Sequence, residues 1–172
     1  EFMNVDASFE IMKNNGLYQG TRWQYRWAAP QFLDKMIAWV GKDTLCAQLS
    51  YFFDHHLYNQ GNEPDIHVPY IFNRLGAPEK TQKLVRSLMT EPMIHKYGGN
   101  AEFKTPYFGK AFKNHPVGYS PEMDEDDGTM SAWYVFGALG FYPMVVGDEH
   151  YELTSPLFDK ITLRLENGNK LN

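Results

Sequence analysis

Apolar residues recur at three- and four-residue spacing from Pro30 to Val40, where Phe32, Leu33, Met36, Ile37 and Val40 share one helical face and Gly41 supplies a stop. A second period follows at once. Leu45, Cys46, Leu49, Phe52 and Phe53 predict a helix running to about Phe53, with Asp43 or Thr44 as its cap. After a loop from Tyr58 to Pro64, a third apolar stretch runs from Val68 to Leu75 and is closed by Gly76. Pro78 then opens a fourth helix bearing Leu84, Val85, Leu88 and Met89. The short connections predict antiparallel neighbours. From Glu91 to Met123 the period fails, because Gly98, Gly99, Pro106, Gly109, Pro116, Gly118 and Pro121 recur too often for a regular element. Met130 to Leu139 is apolar nearly all round and predicts a buried helix ended by Gly140. In the tail, Ile161, Leu163 and Leu165 alternate with polar residues up to a turn at Asn167 and Gly168, the pattern of a half-buried strand.

Composition narrows the function classes. With 172 residues, 43% of them hydrophobic and 22% charged, the chain can bury a sizeable core, and wholesale disorder is excluded. A net charge of -5 without any long basic run gives no footprint for nucleic acid or an anionic membrane. No apolar run reaches the roughly 18 residues of a membrane span, and Glu1 to Glu10 lacks the basic start and apolar stretch of a signal peptide. The chain starts in mid-pattern without an initiator Met, as a fragment of a longer protein would. Its single cysteine, Cys46, lies in a helical apolar stretch and is expected to pack and not to react. Aromatic residues make up 16% of the chain, more than so small a core needs, so some are expected to line a site for sugar rings or other planar ligands.

Polar groups mix with aromatics in Tyr18–Trp27, Tyr58–His67, Met123–Ser131 and Thr154–Asp159, each at a helix end. The densest acidic run is Asp124-Glu125-Asp126-Asp127-Gly128. It reads either as capping of the following helix or as chemistry, with Asp124 and Asp126 directing two carboxylates to one side of an extended loop to orient or activate water. It is not an EF-hand: counted from Asp124, glycine falls at position five, and Val135 stands where the closing Glu belongs. Asn62-Glu63-Pro64-Asp65 offers oxygen donors in a Pro-bounded loop that either forms a capped turn or holds a hard cation such as calcium. His55 and His56 have no partner at zinc spacing, and His67 is expected to be hydrogen-bonded or solvated near a helix start, with ligand contact as the alternative. No phosphate loop and no nucleophile elbow occur.

Several motifs occur together in order: Trp23-Gln24-Tyr25-Arg26-Trp27, Gly61-Asn62-Glu63-Pro64-Asp65, Pro69-Tyr70, Asp124-Glu125-Asp126, Met130-Ser131-Ala132-Trp133-Tyr134-Val135, Ala138-Leu139-Gly140-Phe141-Tyr142-Pro143 and Ser155-Pro156-Leu157-Phe158-Asp159-Lys160. With them the chain resembles glycoside hydrolase family 92, the calcium-dependent, inverting exo-α-mannosidases, from about Tyr18 to Gly168. The resemblance implies a mainly α fold. Residues 1–145 would be later helices of an (α/α)6 barrel catalytic domain, and 146–172 would be strands returning toward an N-terminal β-sandwich that belongs to the missing part of the parent protein. It also implies that Asp124 and Asp126 orient and deprotonate the attacking water and that Glu63 lies beside metal and sugar. Asn62, Glu63 and Asp126 would be the residues on the side of the Ca2+ ion, and Trp23 part of the sugar-binding wall. Asn62 matches a position that is often His in α-1,2-specific members, which argues against pure α-1,2 specificity.

One departure redirects the expected reaction. Where the family has a general-acid Glu in Glu-Gly-Asn, this chain reads Gln19-Gly20-Thr21, and glutamine cannot donate a proton. A sugar leaving group without that acid should react about a hundred- to ten-thousand-fold more slowly. A phosphate leaves as a stable anion, and a neutral Gln places no carboxylate beside it. The expected substrate is therefore a mannosyl phosphodiester of the mannose-1-phospho-6-mannose type, with Arg22 either meeting the phosphate or serving as a structural arginine. Gln31-Phe32, where the family has His-Asp, leaves outer-site specificity open. The alternatives are an ordinary exo-α-mannosidase using another acid and a silent mannose-binding module. Expected partners are an α-mannose-containing glycan or mannosyl phosphodiester and the N-terminal part of the same protein, and the expected location is secreted, periplasmic or at the surface of a bacterium.

Overall fold

The computed structural model describes residues 17, 20–96, 105–116, 118–120, 123 and 125–172. Gln19 and Asp124 lie outside the described residues. The helices are α1 (Arg22–Tyr25), α2 (Leu33–Val40), α3 (Lys42–Asp54), α4 (Ile71–Arg74), α5 (Pro78–Thr90) and α6 (Thr129–Leu139). Short 3-10 turns at Pro30–Phe32, Glu63–Asp65 and Val68–Tyr70 lead into or between them. Six short strands pair as three antiparallel hairpins: β1 (Pro92–His95) with β2 (Tyr107–Lys110), β3 (Phe141–Tyr142) with β4 (Glu152–Leu153), and β5 (Leu163–Arg164) with β6 (Lys170–Leu171). The described part is mainly helical, as expected.

Local chemistry explains most boundaries and several departures. Gly41 carries φ +89, which an L side chain rarely adopts, so the chain turns there from α2 directly into α3. The expected cap on α3 from Asp43 or Thr44 does not form, because the helix starts one residue earlier at Lys42 with Gly41 as its N-cap. Phe32 lies in the 3-10 turn ahead of α2 and is exposed, so the inward face of α2 starts at Leu33. Part of Glu91–Met123 does carry regular structure. The register Pro92 with Lys110 to His95 with Tyr107 forms a hairpin that the long intervening segment hides from a local reading. Helix α6 buries Met130, Trp133, Gly137 and Ala138 but leaves Val135 exposed, so it is apolar beyond what its packing uses. The C-terminal strand forms a small hairpin whose Leu165 and Leu171 are exposed, less buried than the alternation predicts.

The core gathers Leu45, Leu49 and Phe52 of α3, Val85 and Leu88 of α5, and Tyr70, Ile71, Met130 and Trp133. Trp133 joins separate parts of the chain. Its indole N–H donates to the Ile66 carbonyl at 2.8 Å, its ring lies parallel to Phe112 at 5.9 Å, and Tyr70 meets it edge-on at 6.2 Å. The segment after α6 folds back because Gly140 adopts φ +89 and its carbonyl accepts from Thr154 N at 2.8 Å. Tyr142 then stacks on Tyr70 at 4.3 Å, while Glu152 forms an ion pair with Arg74 and accepts from Asn73 at 3.2 Å. Cys46 is half-buried against the core and forms no disulfide.

Replacing Trp133 by Phe should strand the Ile66 carbonyl and leave a void, destabilising the fold by about 2 to 4 kcal/mol. Val135→Ala on the same helix should stay within about 0.5 kcal/mol. Urea unfolding of both variants checks the contrast, and equal effects would remove Trp133 from its joining role.

Candidate active site

The site is built outward from a polar knot under the Glu63 turn. Thr21 caps α1: its Oγ1 accepts from Gln24 N at 3.2 Å, and Gln24 Oε1 accepts from Thr21 N at 2.8 Å, a reciprocal capping box. The box leaves the buried Gln24 amide group facing Asp65 without closing a well-formed hydrogen bond. Asp65 is itself fully buried and accepts from Asn59 N at 3.1 Å. Asn59 Oδ1 accepts from Gly61 N at 2.9 Å, and Tyr58 donates to Gln60 at 2.8 Å. These bonds fix the Tyr58–Asp65 loop from beneath, so that half-buried Asn62 and Glu63 sit on a rigid support.

Burial pushes the Asp65 carboxyl well above the usual carboxylate range. The Asn59 amide, the Gln24 side chain and the turn's own backbone pull the other way but do not offset it. Sequence reading placed Asp65 in the acidic loop without giving it this anchoring part, for which total burial is the only signal. His67 is likewise structural. Its Nε2–H donates to the Trp27 carbonyl at 2.6 Å, and burial lowers its pKa against the opposing pull of that carbonyl, which keeps the ring neutral.

Two candidate segments meet at this turn. A Cβ on Gly20 would stand 2.7 Å from Tyr25 Cε2 and 3.3 Å from Pro64 Cγ, so only glycine lets the chain next to position 19 pass between Tyr25 and the Glu63-Pro64 turn. Asn62 Oδ1 accepts from Glu63 N at 2.9 Å and caps the turn. Trp23 is half-buried and stacks on Tyr51 at 5.5 Å, and Tyr51 stacks on His55 at 3.7 Å, an aromatic ladder that local periodicity does not reveal. Arg22 is half-buried at the first position of α1. A cleft of about 690 Å³ runs beside the turn, between Tyr25, Gln31, Glu63 and His67 on one side and Tyr142–Val146 on the other.

Asp126, Asp127 and Gly128 form a tight turn. Asp126 and Asp127 have φ 32 and 57, and Gly128 carries φ +90 as the N-cap of α6. Both Asp126 and Asp127 are exposed. The capping reading holds for one member: Glu125 Oε1 accepts from Ser131 N at 3.2 Å and Ser131 Oγ at 2.6 Å, tying the run to α6. Because Ser131 spends its proton on Glu125, Tyr119 is the donor in the short hydrogen bond between Tyr119 and Ser131. Asp126 is held at the mouth of α6 through its own carbonyl, which accepts from Thr129 Oγ1 at 2.7 Å and Thr129 N at 3.2 Å. Among the described residues, no group of three or more His, Cys, Asp or Glu side chains could hold a metal ion. Asn62 and Glu63 do supply the adjacent hard oxygen donors that calcium takes.

The sequence model described as the glycosyl hydrolase family 92 catalytic domain matches residues 2–172. The chain belongs to glycosyl hydrolase family 92. Among solved structures it is similar to the GH92 family glycosyl hydrolase ccman5, with 31% identity and a TM-score of 0.87 over 96% of this chain and 24% of that one. It is also similar to the GH92 α-mannosidase BT3965 from Bacteroides thetaiotaomicron in complex with mannoimidazole, at 29% identity and TM-score 0.71, over 88% of this chain and 19% of that one. The GH92 inverting mannosidase BT2199 from Bacteroides thetaiotaomicron VPI-5482 aligns at 27% identity and TM-score 0.67, over 89% of this chain and 21% of that one. No curated protein matches the chain. The chain thus spans about a quarter or less of these GH92 chains, and its mainly α fold is that of part of the family's (α/α)6 barrel.

Asp65 gives this GH92 site a pH signature. Its folded-state pKa is raised, so the stability tied to the neutral carboxyl is complete below the free-aspartate value of about 3.9 and is lost as pH rises from there toward the folded pKa. Asp65→Asn keeps an acceptor for Asn59 N and should flatten the decline of Tm from about pH 4 upward. Asp65→Ala also removes that acceptor and should lie about 1 to 3 kcal/mol below Asp65→Asn at every pH. Tm measured against pH for the three proteins decides, and an unchanged slope in Asp65→Asn would rule out a neutral Asp65.

Proposed function

We propose that the complete protein containing this chain is a calcium-dependent, inverting α-mannoside hydrolase whose preferred linkage is of the mannose-1-phospho-6-mannose type. The observation that carries this reading is Gln19, in a chain that otherwise matches family 92 along its length. The close approach of Gly20, the next residue in the sequence, to Tyr25 and Pro64 beside Glu63 supports it. A neutral amide there suits a leaving group that departs as an anion and suits an alcohol poorly. The names of the similar proteins support mannoside hydrolysis in general, and the phosphodiester preference rests on Gln19.

In this reading Asp126, together with Asp124, accepts the proton of the attacking water, and the Glu125–Ser131 bonds keep Asp126 from drifting. Inversion requires the base to act from the face opposite the leaving group, with space for one water between. Asn62 and Glu63 would hold calcium, which when bound supplies positive charge to polarise sugar hydroxyls and water. Trp23 presents an aromatic face to the sugar, and Arg22 lies one residue from it to meet the phosphate. Export by a bacterium is the location proposed for such a glycan-degrading enzyme.

An ordinary α-mannosidase with an acid from another segment is the second reading, favoured by the names of BT3965 and BT2199. The complete protein assayed on a mannosyl-1-phosphate diester and on α-linked mannobiose, with calcium and after chelation, separates the two. Chelator-sensitive cleavage of the diester alone is expected, whereas cleavage of mannobiose would overturn the leaving-group argument. Asp126→Asn should lower diester turnover by about 10² to 10⁴-fold. Gln19→Glu should raise mannobiose cleavage above the wild-type level while slowing the diester reaction.

A further inference from the structure

The turn that carries Asp126 is strained. Asp126 and Asp127 both adopt left-handed backbone, with φ 32 and 57, which side chains other than glycine avoid, so the turn keeps its shape only while its flanks are held. The downstream flank is held by α6. The Asp126 carbonyl accepts from Thr129 Oγ1 at 2.7 Å, and Glu125 Oε1 accepts from Ser131 N and Ser131 Oγ. The exposed Asp126 carboxylate accepts no hydrogen bond among the described residues, so its position is set by the backbone beneath it.

The upstream flank is held through Tyr119. In the loop after β2, Phe112 and Tyr119 pair as an antiparallel bridge, Lys113 N donates to the Gly118 carbonyl at 2.7 Å and Ser120 N to the Ala111 carbonyl at 2.9 Å. Phe112 fastens this loop to α6, with its ring 5.9 Å from Trp133 and 4.9 Å from Tyr134. The Tyr119 hydroxyl donates to Ser131 Oγ, whose own proton goes to Glu125 at 2.6 Å. Tyr119 and Ser131 stand on either side of the acidic run in sequence. Their bond therefore closes the segment between them, and closing a segment narrows the conformations left to the residues it carries.

We propose that the side chains of Tyr119, Ser131 and Glu125 form a clasp that positions the base, with Tyr119 as a positioning residue for mannoside hydrolysis. The inference rests on the reading of Asp126 as the base and deepens it. A base takes a proton from water only within hydrogen-bond reach, and a misplacement of about 1 Å costs on the order of a hundredfold in rate. The clasp is separate from the packing of the loop. Phe112 keeps the loop on α6, and Tyr119→Phe retains the ring that meets Phe112 edge-on at 6.2 Å. Ser131 is the hub, because Ser131→Ala breaks both the bond from Tyr119 and the hydroxyl bond to Glu125, leaving the backbone contact from Ser131 N.

The complete protein and its Tyr119→Phe, Ser131→Ala, Tyr119→Phe/Ser131→Ala and Asp126→Asn variants, compared on 2,4-dinitrophenyl α-mannoside at saturating calcium, provide the test, with Tm recorded for each. The nitrated phenolate leaves without a proton, so the assay reads the base step whatever stands at position 19. Tyr119→Phe should lower kcat about tenfold, part of the cost of a full misplacement, with KM within about twofold of the wild type. Ser131→Ala should lower kcat at least as far, and adding Tyr119→Phe to it should lower kcat no further, because the two residues act through one bond. Tyr134→Phe, which removes a phenol oxygen that makes no hydrogen bond among the described residues, should leave kcat unchanged. Wild-type kcat in Tyr119→Phe beside a collapsed kcat in Asp126→Asn would overturn the clasp and spare the base. A raised KM and lowered Tm at unchanged kcat would do the same, since loss of packing alone gives that result. Full turnover by Asp126→Asn, or none by the wild type, would remove the base and the clasp with it.

Discussion

The contacts of one buried indole hold the described site together. Trp133 comes from the helix after the acidic turn, donates to a carbonyl beside the Glu63 turn, and stacks on the loop that carries Lys113. The Glu63 turn and the loop after β2 are irregular and distant in sequence, so their placement relative to α6 depends on a large ring with one polar atom in a dry core. The indole suits that position because its area packs on two aromatic neighbours while its single N–H satisfies the one carbonyl that would otherwise be stranded.

A division of labour among carboxylates follows. Asp65 is buried and held toward its neutral form, which supports the loop above it, and Glu125 is tied to Ser131. Asp126 remains exposed on a turn whose left-handed backbone it shares with Asp127 and Gly128. Two acids therefore serve position, beside the residues proposed for chemistry. The same economy recurs at Gln24, whose carbonyl caps α1 while its amide faces Asp65, coupling the start of the Trp23 segment to the support of the Glu63 turn.

The reading of function joins these supports to a single substitution of chemistry. A hydrolase site that loses its proton donor either loses its reaction or meets a leaving group that needs no proton. Family membership bears on glycoside hydrolysis, and Gln19 bears on what leaves in the proposed reaction.

The sequence by itself determined the longer helices and several of their ends, since Gly41, Gly76, Pro78 and Gly140 act locally, and it determined the family, since long motifs keep their order without reference to shape. It also singled out the Glu63 turn, the acidic run and Gln19. Only the tertiary structure decided which carboxylates are anchors, because burial of Asp65 and capture of Glu125 by Ser131 arise from packing between segments distant or irregular in sequence. The β1–β2 hairpin escaped the sequence for a related reason: its partners are separated by a long segment, and strand pairing is a non-local bond with no period to announce it.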